Sequence, residues 1–489
     1  MQRSFDASGL RWLLDARLFV LLVALTIGVI FLPSAVTLLF LVAVVGVVLS
    51  WRFPTAVFYI WMALAPLIGW TVFFSVPSLG GMFTESMELA VGELVAAVLV
   101  GTLLLKKTVA WIDHKKIEPW MFPVAGAFLL LVAAHVLSAF SPAHPSFPLI
   151  IKYSLRPVLW VYITSVVLPV NFIKDKRRLT HVLILLLAIG AFFALDGLRS
   201  LAYGSDDQTQ LARAHPMPWF GVFPIGINHN VLAEYLSYLA PAALALSTLV
   251  RSRTARRLAY ASAALSTLVA VLTFARSAWI SLGCQVLFLC FTLWRPWIKR
   301  HVVYVIALVL ALIPLAGYMT FFTLQSGVRS STDSRAMLIG IAYDLWKGSP
   351  FLGVGAGTFV DRVAAVWLFN YEYGGPLDSH GLFQKVLAET GLIGIAALFY
   401  LLFVVGKRLT KGIQGIASNQ DRATALYLVA GVIGAFVYQV FNTTYWTPHL
   451  WLPVGLALAW LFMLSPSQRG RWRGWEPSDK SSGRRGTRV

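Results

Sequence analysis

The chain has 489 residues, 58% of them hydrophobic and 12% charged, and a mean hydropathy of +0.74. A soluble domain carries about 25% charged residues, so this composition excludes a soluble globular protein and predicts an all-α polytopic membrane protein. The net charge of +19 would suit nucleic acid, but its distribution along the chain assigns it to membrane topology and to anionic lipid headgroups, and no nucleic-acid partner is expected.

A membrane helix needs about 20 mostly apolar residues. The first apolar run follows MQRSFDASGLRW and resembles a signal sequence. A second run comes almost at once, so a retained first span is the reading preferred over a cleaved signal. By this ruler the chain holds about 12–14 spans. They centre on residues 18–32, 35–50, 55–75, 89–105, 120–140, 153–170, 179–197, 230–250, 258–275, 278–293, 302–323, 384–406, 423–441 and 449–464. Cys284 and Cys290 share one run. Six residues separate them by roughly 9 Å along a helix, too far for a comfortable disulfide.

Sorting the 40 lysines and arginines by loop puts thirty on one side and eight on the other, with Lys152 and Arg156 at the start of a span. The bias predicts cytoplasmic termini and places the 198–228 and 324–384 loops outside. Residues 1–465 read as one integral membrane domain and 466–489 as a basic, disordered cytoplasmic tail.

Against that bias, arginines on the outer side stand out. Arg213 lies in LARAHPMPWFGVFPIGINHN, and Arg276 is pinched between two apolar runs in LTFARSAWISL. A charge at such a boundary is costly unless paired or functional, the plain alternative being a snorkelling side chain. Together the two suit a phosphate, because a guanidinium offers forked donors and keeps its charge. Asn228, His229 and Asn230 open the next span; Asn230 reads as a cap or as a polar-pocket residue shared with Glu234, one turn on.

The longest interruption, 324–384, divides into three parts. SRAMLIGIAYDLWKG has the spacing of an amphipathic helix, with Arg335 expected in its first turn, where a cation opposes the helix dipole and an external anion would hold it. SPFLGVGAGTF carries Gly353, Gly355 and Gly357, which permit a tight turn and close backbone approach; a weak phosphate nest at Gly355 and Gly357 is the second possibility. DSHGLFQKVLAETGLIG places His380 two residues after Asp378 at the mouth of a span. A histidine there is suited to take a proton from an attacking hydroxyl, the alternative being a capping residue. No HExxH, paired CxxC or GxSxG spacing occurs, so neither a metal, a cofactor nor a serine nucleophile is expected.

Four stretches, NHNVLAEYLSYLAPAALAL, LTFARSAWISL, SRAMLIGIAYDLWKGSPFLGVGAGTF and SHGLFQKVLAETGLIG, resemble in order and topology the O-antigen ligase and O-antigen polymerase superfamily, the WaaL-type and Wzy-type membrane glycosyltransferases. The likeness covers roughly residues 210–405. Gly381 departs from it, since the family often has Asn or Ser after the histidine. The resemblance implies a metal-independent, inverting transfer of a glycan from undecaprenyl diphosphate, on the periplasmic face, to an acceptor hydroxyl such as that of lipid A core. It implies that Arg213 and Arg276 hold the diphosphate, that His380 is the base and that Arg335 is a third cation. Asn230, Glu234, Asp378, Gly355 and Gly357 are the remaining substrate-binding candidates. Ligase is favoured over repeat-unit polymerase and over transfer to protein, because the outer loop is single and compact. A transporter is the reading from a different class; it would need charges at mid-span, whereas Glu93, Asp196 and Glu234 fall near span ends.

Overall fold

In the computed structural model, residues 34–74, 87–116, 119–141, 155–203, 213–323 and 326–465 are described. The expected first span at 18–32 and the basic segment 466–489 lie outside the described residues. The chain divides into two compact units, residues 1–61 with 92–118, and residues 62–91 with 119–489. The first unit contains α1 (Ser34–Arg52), most of α2 (Pro54–Leu64) and nearly all of α3 (Val91–Ile112). Within it the Lys106 ammonium donates to the Trp51 carbonyl and lies over the indole ring, an amphipathic side chain carrying its charge along an apolar helix to a polar group.

The second unit opens with β1 (Thr71–Phe74) paired antiparallel to β2 (Met87–Ala90), Thr71 opposite Ala90. This corrects the reading of 55–75 as one span. Helix α2 stops at Leu64, ahead of Pro66, because the residue before a proline is driven out of the helical region, and TVFF is β-branched and aromatic. Then come α4 (Ala125–Leu137), π-helical turns over Leu155–Trp160 and Ile163–Val167, α5 (Leu168–Phe172) and α6 (Lys176–Ser200). Helices α7 (His229–Leu249), α8 (Arg253–Leu272), α9 (Arg276–Thr292), α10 (Arg295–Arg300) and α11 (Val302–Thr323) follow. The chain closes with α12 (Ser326–Gly348), α13 (Phe359–Ala364), α14 (Trp367–Tyr373), α15 (Leu382–Gln414), α16 (Asn419–Gln439) and α17 (Pro448–Leu464).

Six described helical segments are long and apolar enough to cross a membrane: Val91–Ile112, Lys176–Tyr203, His229–Leu249, Arg253–Leu272, Leu382–Gln414 and Asn419–Gln439. Shorter apolar helices accompany them, among them Ala125–Phe140, Arg276–Thr292 and Pro448–Leu464. The chain is an all-α polytopic membrane protein. Both cysteines are free.

Helix α7 is the axis of the second unit. It is buried on every face from Leu232 to Ala243, as a helix apolar all round must be, and it packs against α6, α8 and α16. Two ends of this bundle are chemically distinct. At one, Asp421 receives Lys176 Nζ and Thr248 meets Thr424. At the other, the starts of α7, α9, α15 and α17 meet the end of α16, where Tyr438 OH donates to the Asn230 carbonyl at 2.6 Å.

The 324–384 segment is more helical than its sequence suggests. Helix α12 begins at Ser326, eight residues before the amphipathic pattern becomes visible, because SGVRSSTD supplies few apolar residues to mark a face. Arg335 therefore sits in the third turn. The expectation of a cation opposing the helix dipole in the first turn is overturned, since the dipole acts only within the terminal turn.

Candidate active site

Helix α12 is held by its apolar stripe. Leu338 and Ala342 are buried with Phe359, Val363, Phe369 and Ala388, so the segment folds down onto α15. Arg335 precedes Leu338 by three residues and shares its face, which carries the guanidinium inward. Its Nε is buried with no hydrogen-bond partner. Arg276, the first residue of α9, reaches the same helix: its Nη1 donates to Thr332 Oγ1 at 3.1 Å, one turn before Arg335. Burial and then the positive charge of Arg276 push the Arg335 guanidinium below its ordinary value, partly opposed by Tyr438. Arginine stays charged despite this. Two neighbouring cations, one with a buried unsatisfied donor, form an arrangement that an anion would complete.

His380 lies within electrostatic reach of Arg335. Its backbone is left-handed, with φ 50°, an uncommon state for a residue with a side chain that clusters at functional positions. Burial and the Arg335 cation lower the imidazole below its usual range, with Asp378 opposing. The ring is thus held neutral near pH 7, able to accept a proton. Asp378 itself is clamped. Lys385 Nζ donates to both of its oxygens, at 2.8 and 2.7 Å, and the Ser379 amide donates to Oδ1 at 2.8 Å. Lys385 is nearly buried, 4.0 Å from Glu389 and 5.0 Å from the centre of the Trp446 ring.

The glycine turn docks on the helix that follows His380. Helix α15 is broken at Gly391, with φ 65°, and the 350–359 turn fills the break. Val354 N donates to Ala388 O, Gly355 N to Glu389 O, and Leu392 N to Pro350 O. The Phe359 amide donates to the Glu389 carboxylate at 3.1 Å, and the Gly357 amide reaches the same carboxylate. A Cβ at Gly353 would lie 2.3 Å from the Glu389 carbonyl carbon, and one at Gly391 would lie 2.4 Å from that of Phe351. Close backbone approach is therefore the use these glycines have. The amides of Gly355 and Gly357 are engaged by Glu389 within the protein.

Arg213 enters from the 198–228 segment, which Ala214 anchors by donating its amide to Leu272 O at the end of α8. Arg213 Nη1 lies 3.2 Å from His229 Nε2, a contact in which the guanidinium can only donate. Asn228 caps α7 by accepting from the Asn230 amide at 2.8 Å. Asn230 thus contributes its amide to the cap and its carbonyl to Tyr438. Glu234 is fully buried and accepts from Gln439, Asn442 and Thr444, with Thr444 Oγ1 2.7 Å from both carboxylate oxygens. It ties α7 to the 439–444 turn, and Tyr438, within hydrogen-bonding reach of Ser277, lies within electrostatic reach of both Glu234 and Arg335.

Residues 261–399 match the family model described as O-antigen ligase. Over these residues the chain is similar to the O-antigen ligase family. The matched stretch runs from within α8 into α15. It includes Arg276, Arg335, Asp378 and His380; Arg213, Asn230 and Glu234 precede it. The match supports a ligase/polymerase-type membrane glycosyltransferase. A comparison with curated proteins finds no match.

Sequence reasoning missed Lys385, Glu389, Thr332 and Tyr438. The first two had a signal: a lysine and a glutamate spaced i, i+4 at the start of an apolar span are costly charges that ask for partners. Tyr438 and Thr332 had none, because a single hydroxyl on a helix shows its role only when a second helix is placed against it.

Proposed function

We propose that this ligase-family chain transfers a glycan from undecaprenyl diphosphate to an acceptor hydroxyl, with lipid A core or a similar glycolipid as acceptor. The observation that carries the reading is the Arg276–Arg335 pair, with its buried unsatisfied donor, beside a histidine held neutral. In the proposed step the acceptor oxygen attacks the anomeric carbon and its proton passes to the His380 imidazole. The bond from the anomeric carbon to the diphosphate oxygen breaks, with inversion. Undecaprenyl diphosphate departs with the electron pair, its charge met by Arg276 and Arg335, with Arg213 as the third cation. Fixed cations aimed at charge that grows in the transition state supply the largest catalytic term in many enzymes, and here they stand where a metal ion would otherwise serve.

The eight-to-thirty partition of basic residues supports cytoplasmic termini and a site on the opposite face, the periplasmic face in this reading. The Lys385 clamp on Asp378 supports a role for Asp378 in positioning His380.

Glycan transfer in membranes with purified undecaprenyl-diphosphate glycan tests the reading. His380→Ala, Arg276→Ala and Arg335→Ala lose transfer by about 10²-fold or more at normal expression, the scale of a lost base or charge donor, while Arg362→Ala retains it. Normal transfer in the first three would overturn the assignment. Product that depends on added lipid A core selects ligase; chain growth without it selects the repeat-unit polymerase.

A further inference from the structure

We propose that the groove between α9, α15 and α16 is a binding site for an anionic phospholipid, its acyl chains along the groove and its phosphate on Arg295 and Arg422. The groove encloses about 850 Å³. Its walls within the helices are apolar, formed by Phe288 and Phe291 of α9, Leu402 of α15, and Ile433, Phe436 and Val437 of α16. Gly406 lies on its α15 side with open space where a Cβ would project. An apolar cleft of this size between membrane helices is filled by hydrocarbon, since water finds no partners there.

The polar end decides which lipid. Arg295 follows α9, and Arg422 closes the first turn of α16; both line the groove. Among the described residues no carboxylate bridges either one. Asp421, the nearest acid in sequence, is taken by Lys176. A cation in the first turn of α16 opposes that helix's dipole, and a bound anion offsets the cost. Two arginines above an apolar cleft match a phosphate above acyl chains, and basic pockets between membrane helices commonly take such headgroups.

The site is separate from the candidate active site. Arg276 opens α9 and Arg295 lies just past its other end, the 17-residue helix alone separating them by roughly 25 Å. Arg422 and Tyr438 likewise stand at opposite ends of α16. A donor whose diphosphate rests on Arg276 and Arg335 therefore leaves Arg295 and Arg422 without an anion, and this inference stands whether or not the proposed transfer is correct.

The test uses the full chain in detergent. Phosphatidylglycerol, phosphatidylcholine of equal chain length and glycerol phosphate are compared by native mass spectrometry and thermal melting. Phosphatidylglycerol is retained and raises Tm, while the other two do so at least tenfold more weakly. The Arg295→Gln/Arg422→Gln double variant and Gly406→Phe each lose retention by about tenfold. Photoreactive phosphatidylglycerol on the unsubstituted protein labels peptides within 402–414 and 422–437, which decides the matter should a variant fail to fold. Equal retention of phosphatidylcholine, glycerol phosphate binding as well as the lipid, or labelling spread evenly over other helices would overturn the proposal. So would a detergent-stable dimer that shields these peptides from label, which would assign the groove to a second copy.

Discussion

Lys385 Nζ bridges both carboxylate oxygens of Asp378, at 2.8 and 2.7 Å. The bridge spans seven residues and closes the chain over Ser379, His380 and Gly381, so the left-handed histidine is carried on a tied loop. Lys385→Met leaves a half-buried carboxylate without its partner. Removing one partner of a buried pair costs about 3–5 kcal/mol; with Asp378 only partly buried, we expect about 2–3 kcal/mol, read as a drop in Tm. Transfer per folded molecule falls by about tenfold or more, in kcat rather than KM, and Lys385→Arg restores part of it.

The pH profile reports the surroundings of His380. Burial and Arg335 lower its imidazole and Asp378 raises it. Activity as kcat/KM therefore rises with pH through a value below that of an ordinary histidine and is level by neutrality. Arg335→Gln moves this limb to higher pH. Asp378→Asn moves it to lower pH, since it removes the opposing carboxylate and frees the Lys385 cation. The folded state resists protonation more than the unfolded chain does. This contribution to stability is full above the unfolded value near 6.5 and declines as pH falls toward the folded one. A limb that ignores both substitutions would remove His380 as the titrating group.

The break in α15 makes a sharp demand on glycine. Gly353→Ala and Gly391→Ala each add a Cβ to a positive-φ residue, within 2.4 Å of main-chain carbon. The conformation alone costs about 1–3 kcal/mol, and the overlap adds to it, so both variants melt well below wild type or fail to accumulate. Gly348→Ala, at the end of α12 with nothing within 4 Å of its Cβ, stays within about 0.5 kcal/mol, the range of an unconstrained surface change.

Glu234 joins α7 to the 439–444 turn. Three side-chain donors converge on it, and Glu234→Ala strands them in a buried site, each orphaned group costing about 1–3 kcal/mol. A large loss of stability with near-normal transfer per folded molecule is expected, measured by melting alongside activity normalised to folded protein. Loss of activity in a variant that melts normally would return Glu234 to the substrate-binding set.

The sequence by itself determined what local chemistry can determine. Runs of apolar residues must be helical in hydrocarbon, because no water is there to satisfy the backbone, and most expected spans between 89 and 464 coincide with helices. Close approach at Gly353 was legible because few positions tolerate only glycine. His380 stood out as a proton acceptor at the mouth of a span. The tertiary structure decided the partners. Arg276 meets Thr332 across 56 residues of sequence, Lys385 holds the carboxylate of Asp378, a substrate-binding candidate from the sequence, and Glu389 engages the amides of the glycine turn. Arg335 belongs to the third turn of α12, so its anion is called for by Arg276 and by a buried Nε, not by a helix terminus. Hydropathy and spacing act within one helix, whereas the choice of partner for a charge depends on which helices pack and at what angle, and that is fixed only when the whole chain has folded.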